Sequence, residues 1–334
     1  MSEPSARREQ RLEFLSRALP GPWRIAPASE DASFRRYFRV FATTGSLILM
    51  DAPPEQEDVR PWLDVDARLR AAGLRAPAVH AADPAGGFVL MEDLGPVLYL
   101  DRLDADTVDT LYADALAALA RMQLGVASEG LPPYDEARLS AELALLPEWF
   151  LTRHLGMTLE PESRALLDAA FRLLIASALA EPQVFVHRDY HSRNLTVLPR
   201  QGPGILDFQD AVVGAVSYDL VSLLRDCYIA WDPDLVRRWA EGHRQRLRAE
   251  GLPVPDRDDF ERAFDWMGLQ RHLKVLGIFC RLWYRDGKPG YLRDLPRVFA
   301  YVERVAARYR EFAPLLALLR RGAAGRDLTR PCAP

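Results

Sequence analysis

The chain has 334 residues, with 43 Lys and Arg against 47 Asp and Glu, a formal charge of −4 and 49% hydrophobic residues. That is the balance of an ordinary globular protein with more chain than one compact core needs, so two lobes are expected. No run approaches the ~18 apolar residues of a membrane span, MSEPSARREQRLEFL lacks the apolar core of a secretory signal, and the mild acidity without an RNA-binding motif argues against a nucleic-acid partner.

Ala6 to Ala18 reads as a helix that Pro20, Gly21 and Pro22 stop. Alternation through FRRYFRVF, the turn TTG and the run SLILM predict three antiparallel strands, followed by a helix from Asp58 to Ala72 and two more strands around DPAGG. Five strands and one helix make a small α+β lobe. Past Gly95 the pattern turns helical: DADTVDTLYADALAALARMQL, LSAELALLPEWFL and PESRALLDAAFRLLIASALA precede the stretch VFVHRDYHSRNLTVL. After it, YDLVSLLRDCYIAW, PDLVRRWAEGHRQRLRAEG, DDFERAFDWMGLQRHLKVLGIFCRLWYRDG and LPRVFAYVERVAARYREFAPLLALLRRG read as helices, and AAGRDLTRPCAP as a frayed tail. The fold class is α+β: an antiparallel-sheet lobe over residues 1–94, a helical lobe over 95–324 and a tail over 325–334.

Two compositional facts restrict the chemistry. Cys227, Cys280 and Cys332 stand far apart with no disulfide or zinc spacing. Lys274 and Lys288 are the only lysines, so no mechanism can rest on a lysine in the first two thirds of the chain. From Ala211 onward basic residues exceed acidic ones by about 6, which favours an anionic ligand over a cationic one.

The stretch VFVHRDYHSRNLTVL is a strand, a loop with Asp189, and Asn194 leading into another strand. GILDF adds a short strand ending in Asp207, thirteen positions after Asn194. Two acids and an amide directed at one point suit phosphoryl transfer from ATP, whose barrier falls mainly by positioning and charge neutralisation. One carboxylate takes the proton of the attacking hydroxyl, and an amide oxygen with a second carboxylate holds Mg2+, a hard cation that prefers oxygen. His187-x-Asp189-x-His191 also suits part of a two-metal phosphoesterase, but the remaining His80, His154, His243 and His272 have no paired spacing. A P-loop is absent, since Gly287 and Lys288 are followed by proline with no glycine at the required offset upstream.

These residues are similar to those of the protein-kinase-like superfamily, in its aminoglycoside phosphotransferase branch. HRDYHSRN resembles the catalytic loop of that branch, LDF its magnesium-binding turn and SYDL the acid that braces the loop. The resemblance implies ATP and Mg2+ as cofactors, Asp189 as catalytic base, Asn194 and Asp207 as metal ligands, and Asp219 as support. FVLMEDLG resembles the hinge between lobes, where backbone groups near Met91, Glu92 and Asp93 would bind adenine. His187 is expected to orient the loop. DASFRRYFR, LILMDAPP, YDLVSLLRDCYI and VLGIFCRLWYRDGKPGYL further resemble the anomeric kinases of bacterial cell-wall recycling, which phosphorylate the C1 hydroxyl of N-acetylmuramate and N-acetylglucosamine. That implies an enzyme acting on a small amino sugar; the missing secretory signal and membrane span separately predict a cytoplasmic protein with no membrane partner, and a monomer is expected. The pocket should offer aromatic surface and cations, for which His191, Arg225, Tyr228, His272, Arg281 and Arg285 are the candidates.

One departure stands out. The superfamily carries a lysine on its third strand for the ATP phosphates, whereas SLILMDAP has Met50 and Asp51. An arginine must substitute, by fork pairing with phosphate oxygens, and Arg36 is the first choice over Arg35 and Arg39. The alternatives are a kinase of another small hydroxyl compound, such as an aminoglycoside, and a pseudokinase scaffold.

Overall fold

Helix α1 (Ser5–Ala18) stops before Pro20–Gly21–Pro22, and the chain enters a sheet whose first strands are β1 (Trp23–Glu30), β2 (Arg36–Ala42) and β3 (Gly45–Asp51). The computed structural model describes residues 5–30, 34–199 and 202–331, so Asp31 of DASFRRY and Cys332 lie outside the described residues. Helix α2 (Arg60–Ala71) follows, and β4 (Val79–Asp83) and β5 (Phe88–Glu92) complete an antiparallel sheet of order β1-β2-β3-β5-β4. Gly87 makes the tight turn between the last two possible: it sits at φ +71°, and a Cβ there would lie 1.8 Å from the Ala52 carbonyl oxygen.

Strand alternation sends the two faces of this sheet to different tasks. Val40, Leu49, Phe88 and Leu90 pack on Phe14 and Leu15 of α1, with Phe38 against the same cluster. Tyr37, Arg39, Ile48 and Met91 point the other way and line a cavity. Residues directly opposite across an antiparallel pair share a face, so Arg36, opposite Asp51, belongs to the α1 side. Asp51 is buried there and accepts hydrogen bonds from Arg7 Nε (2.7 Å) and Arg11 Nη1 (2.9 Å), which pin α1 to the strand.

Helix α3 (Val108–Gly125), α4 (Glu136–Leu143), α5 (Pro161–Ala180) and strand β6 (Gln183–Val186) come next. The short pair β7 (Leu195–Thr196) and β8 (Gly204–Ile205) follows, then β9 (Val212–Ala215), which pairs antiparallel with β6. Helices α6 (Tyr218–Leu224), α7 (Pro233–Ala249), α8 (Arg257–Tyr284), α9 (Leu295–Ala306) and α10 (Ala313–Ala323) complete the chain. The chain forms two compact units: Met1–Ala118 with Arg193–Asp210, and Leu119–Ser192 with Ala211–Pro334. The first holds the five-stranded sheet and β7–β8; the second is mostly helical.

Three predicted helices are shorter than their patterns. LSAELALLPEWFL divides into α4 and a π-helical segment, Leu146–His154, with Pro147 in its first turn where a missing N–H is harmless. The helix expected across YDLVSLLRDCYIAW ends at Leu224, because Asp226 turns its carboxylate onto the Tyr228 amide (2.8 Å). The last predicted helix breaks between Ala306 and Ala313, and Pro314 opens the new one. Helix α8 is buried along most of its length, and Gly277 lets it cross the π-helical segment closely: a Cβ there would lie 2.5 Å from the Leu145 carbonyl. No helix among the described residues is long and apolar enough to cross a membrane.

Candidate active site

In the helical unit β6 delivers the chain to His187, and the loop that follows is staked at both ends by carboxylates. Asp219, in the first turn of α6 and fully buried, accepts the amides of His187 (2.7 Å) and Arg188 (3.0 Å). Asp226, just beyond α6, accepts the amide of Ser192 (2.9 Å). Each such bond is worth about 0.5–1.5 kcal/mol, and about 1.5–3 where the carboxylate is ionised. They offset a strained turn, because Arg188 holds φ +76°, a left-handed conformation that costs a non-glycine residue about 1–3 kcal/mol. His187 is buried and accepts the Asp189 amide on Nδ1 (3.2 Å), which fixes its proton on Nε2.

The turn leaves the Asp189 side chain partly exposed, with Arg271 Nη2 3.9 Å from its Oδ1. Burial opposes its ionisation, yet Arg271, His191, Lys274 and Arg188 outweigh this and hold the carboxyl down at about 2. Asp219 goes the other way: burial pushes it up to about 7 against the pull of its two backbone donors.

In the sheet unit Asn194 immediately precedes β7, and its carbonyl accepts the Leu206 amide (2.9 Å), which locks it beside the turn of Asp207. Asp207 is itself left-handed at φ +60°. Its Oδ2 lies 3.4 Å from Asn194 Nδ2, while its Oδ1 accepts from Gln209 Nε2 (2.9 Å) and lies 3.9 Å from Arg35. The amide assignment can be exchanged, so this corner offers two oxygen donors close together. Such a pair suits a hard divalent cation that completes its shell with phosphate and water.

Both residues line the cavity on the α2 side of the sheet, about 640 Å³ in volume. Its far wall is the hinge candidate Met91, Glu92 and Asp93. Met91 is buried opposite Ile48. The Glu92 carboxylate holds Arg75 (2.8 Å) and the Ala78 amide (3.2 Å), and the Glu92 amide donates to the Ala78 carbonyl (2.8 Å). Asp93 is gripped by the fork of Arg39 (2.7 and 3.2 Å); burial opposes its charge, but that pair and the Gly95 amide keep it below the usual carboxylate range.

The choice of Arg36 requires correction. Its position opposite Asp51 sends it to the α1 face, and it is exposed there. The arginine that reaches the corner of Asn194 and Asp207 is Arg35, buried and 3.9 Å from Asp207.

Among the substrate candidates, His191 meets Tyr228 edge to face at 5.5 Å, and the row continues through Phe279 (6.1 Å) to Tyr291 (5.3 Å). Sequence does not single out Phe279, since an aromatic in a helical pattern reads as core, nor Tyr291, which sits in the turn-like KPGYL between two predicted helices. Arg225 and His272 require correction as substrate residues. Arg225 is buried against Phe264 and paired with Asp265, which also binds Arg308 (2.6 Å) and Tyr309 (2.8 Å). His272 is fully buried, stacked on Tyr301 at 4.7 Å, with Nε2 on the Arg225 carbonyl (2.9 Å); burial pushes its pKa down to about 3, so it is neutral. Arg285 is exposed and bound by Asp286 (2.7 and 3.0 Å). Arg281 differs: its Nε is buried with no hydrogen-bond acceptor, and burial with Arg285 nearby lowers its pKa against the opposing pull of Asp286 and Glu148.

Comparison with known proteins gives a consistent picture. The sequence profile described as "Phosphotransferase enzyme family" matches residues 24–264. The N-acetylmuramate/N-acetylglucosamine kinase of Pseudomonas aeruginosa is 48% identical over 299 residues, covering 89% of this chain and 88% of that protein. Its namesake in Pseudomonas putida is 47% identical over 292 residues, covering 87% and 86%. Among solved structures, the ADP-bound aminoglycoside phosphotransferase APH(2'')-Ib aligns with a TM-score of 0.57 at 14% identity, over 88% of this chain and 97% of that chain. That likeness is one of fold: a protein-kinase-like chain with an antiparallel-sheet unit and a helical unit.

Proposed function

The chain belongs to the phosphotransferase enzyme family, and from that premise we propose that it transfers the γ-phosphoryl group of ATP to the anomeric C1 hydroxyl of N-acetylmuramate and N-acetylglucosamine. The observation that carries this reading is the 47–48% identity, over nearly nine tenths of the chain, to kinases named for those two sugars. Asp189 takes the proton of the C1 hydroxyl as its oxygen attacks phosphorus, the bond from phosphorus to the β-phosphate oxygen breaks, and ADP leaves with the electron pair. The proton passes from Asp189 to solvent. Asn194 and Asp207 would hold Mg2+, which would supply charge neutralisation at the phosphates. Arg35 pairs with phosphate oxygens in place of the lysine that β3 lacks. The hinge at Met91, Glu92 and Asp93 takes adenine through backbone groups.

The row His191, Tyr228, Phe279 and Tyr291 offers the sugar ring an aromatic wall, and Arg281 answers the lactyl carboxylate that distinguishes muramate from glucosamine. The amino-sugar reading is preferred over an aminoglycoside acceptor because the similar kinases are named for those sugars. The enzyme is read as a cytoplasmic monomer, where ATP and recycled amino sugars are both available. The test is a coupled assay of ATP consumption with N-acetylmuramate, N-acetylglucosamine, glucose and kanamycin side by side, with 31P NMR of the product. A C1 phosphate on both amino sugars is expected. Turnover of kanamycin alone, or phosphate on another hydroxyl, overturns the reading.

A further inference from the structure

Behind the loop of Asp189 lies a buried cluster of charge that the steps above leave without a task. The Glu142 carboxylate of α4 accepts from Arg188 Nη2 (2.6 Å), Lys274 Nζ (2.8 Å) and the Tyr134 hydroxyl. The Tyr218 hydroxyl lies 3.1 Å from both Lys274 Nζ and Arg271 Nη1. Arg271, buried in the middle of α8, also donates from Nη1 to the carbonyl of Arg188 (2.8 Å), the residue in the strained left-handed turn, while its Nη2 faces Asp189. Three cations, Arg188, Arg271 and Lys274, thus share two anions, Glu142 and Asp189. Burying ions costs several kcal/mol each, and apolar side chains of similar volume commonly serve stability as well or better. The cluster therefore calls for a purpose beyond packing.

We propose that Arg271 is a positioning residue for the base: it clamps the turn at Arg188 and presents a cation to the Asp189 carboxylate, while the Tyr218 hydroxyl, itself held by Lys274, accepts from the guanidinium and keeps it in place. This rests on the reading of Asp189 as the base. Asp189 is faced by Arg271 and Lys274 from α8, by Arg188 and His191 from its own loop and by Asp219 from α6, with Glu142 of α4 behind them. Arg271 reaches both parts of the loop: it donates to the Arg188 carbonyl at 2.8 Å and its Nη2 lies 3.9 Å from the Asp189 carboxylate. Its side chain therefore couples where the base points to the charge the base carries, from a helix more than eighty residues away in sequence.

The test compares Arg271→Met, Arg271→Lys and the milder Tyr218→Phe with the wild-type enzyme by three measurements. Steady-state kinetics with both sugars reports catalysis, calorimetry of Mg-ATP reports nucleotide binding, and NMR titration of 13C-carboxyl-labelled aspartate, assigned with Asp189→Asn, reports the carboxylate directly. Arg271→Met should raise the Asp189 pKa by about 1–3 and lower kcat roughly 10- to 100-fold, with Mg-ATP affinity unchanged. Arg271→Lys should recover much of the titration and less of kcat, because it restores charge without the fork. Tyr218→Phe should move both in the same direction by less, and it keeps the proposal testable if Arg271→Met does not fold. An unmoved Asp189 titration in folded Arg271→Met or Tyr218→Phe overturns the proposal, as does a kcat loss that Arg271→Lys does not relieve. Should the wild type phosphorylate neither sugar, the functional reading fails by itself, and the titration still decides whether Arg271 governs the carboxylate.

Discussion

Replacing Arg35 by alanine should weaken Mg-ATP binding, and the same change at Arg36 should not. The two are neighbours in sequence and opposite in the sheet: Arg35 is buried with its guanidinium 3.9 Å from Asp207 at the cavity, whereas Arg36 pairs in register with Asp51 on the α1 face. Arg39 also lines the cavity, but both arms of its fork are held by Asp93. A charge-assisted hydrogen bond to phosphate is worth about 1.5–3 kcal/mol, so Arg35→Ala should raise the Kd roughly 10- to 150-fold. Arg35→Lys should restore part of that, keeping charge and losing the fork. Calorimetry with Mg-ATP, Mg-ADP and adenosine separates the causes. Adenosine, which has no phosphates, should bind the wild type and all three variants alike, so a loss seen with the nucleotides alone is a loss at the phosphates. If Arg36→Ala weakens the nucleotides while Arg35→Ala does not, the assignment of faces in β2 is inverted and the reasoning fails. If adenosine weakens in parallel, the change has damaged the sheet.

Asp189→Asn should lower turnover by ~10²-fold or more, the contribution of a placed general base, with Mg-ATP binding nearly intact; near-normal turnover in a coupled assay would remove Asp189 from the mechanism. Arg281→Ala should reduce kcat/KM for N-acetylmuramate roughly 10- to 150-fold and leave N-acetylglucosamine nearly unaffected, a ratio that cancels general damage to the fold; equal losses on both sugars would reduce Arg281 to a structural cation. Glu181 bears on stability. Burial raises its carboxyl to about 7 even though Ser217 donates to it from both its amide and its hydroxyl, so the folded chain binds a proton there that the unfolded chain has lost. Its contribution to stability is therefore full below about pH 4.5 and lost as pH rises to about 7, by at most about 3 kcal/mol. Glu181→Gln removes that loss, and its thermal midpoint should gain on the wild type between pH 5 and pH 8; a constant difference across that range would contradict the raised pKa.

What could be read from the chain alone was whatever depends on neighbours in sequence. The alternation of β1 to β5, the stop after Ala18 and the spacing of Asp189, Asn194 and Asp207 are local patterns, and a strand or a loop motif declares itself through residues a few positions apart. The same locality explains the errors. Arg35 and Arg36 cannot be told apart until the pairing of Arg36 with Asp51 decides which face each takes, and a slip of one residue exchanges them. Arg225 and His272 looked like substrate contacts because they fall in a basic, aromatic stretch; only the packing of α8 against α6 and α9 shows one paired with Asp265 and the other stacked on Tyr301. Asp226 and Arg271 went unnoticed for the converse reason, since an acid inside LVSLLRDCYI and an arginine inside a long helix give no local sign of the loop they hold. Tertiary structure alone could bring them to that loop, because the cost of burying each charge is offset by a partner from a distant part of the chain, and no pattern along the sequence records which partner that is.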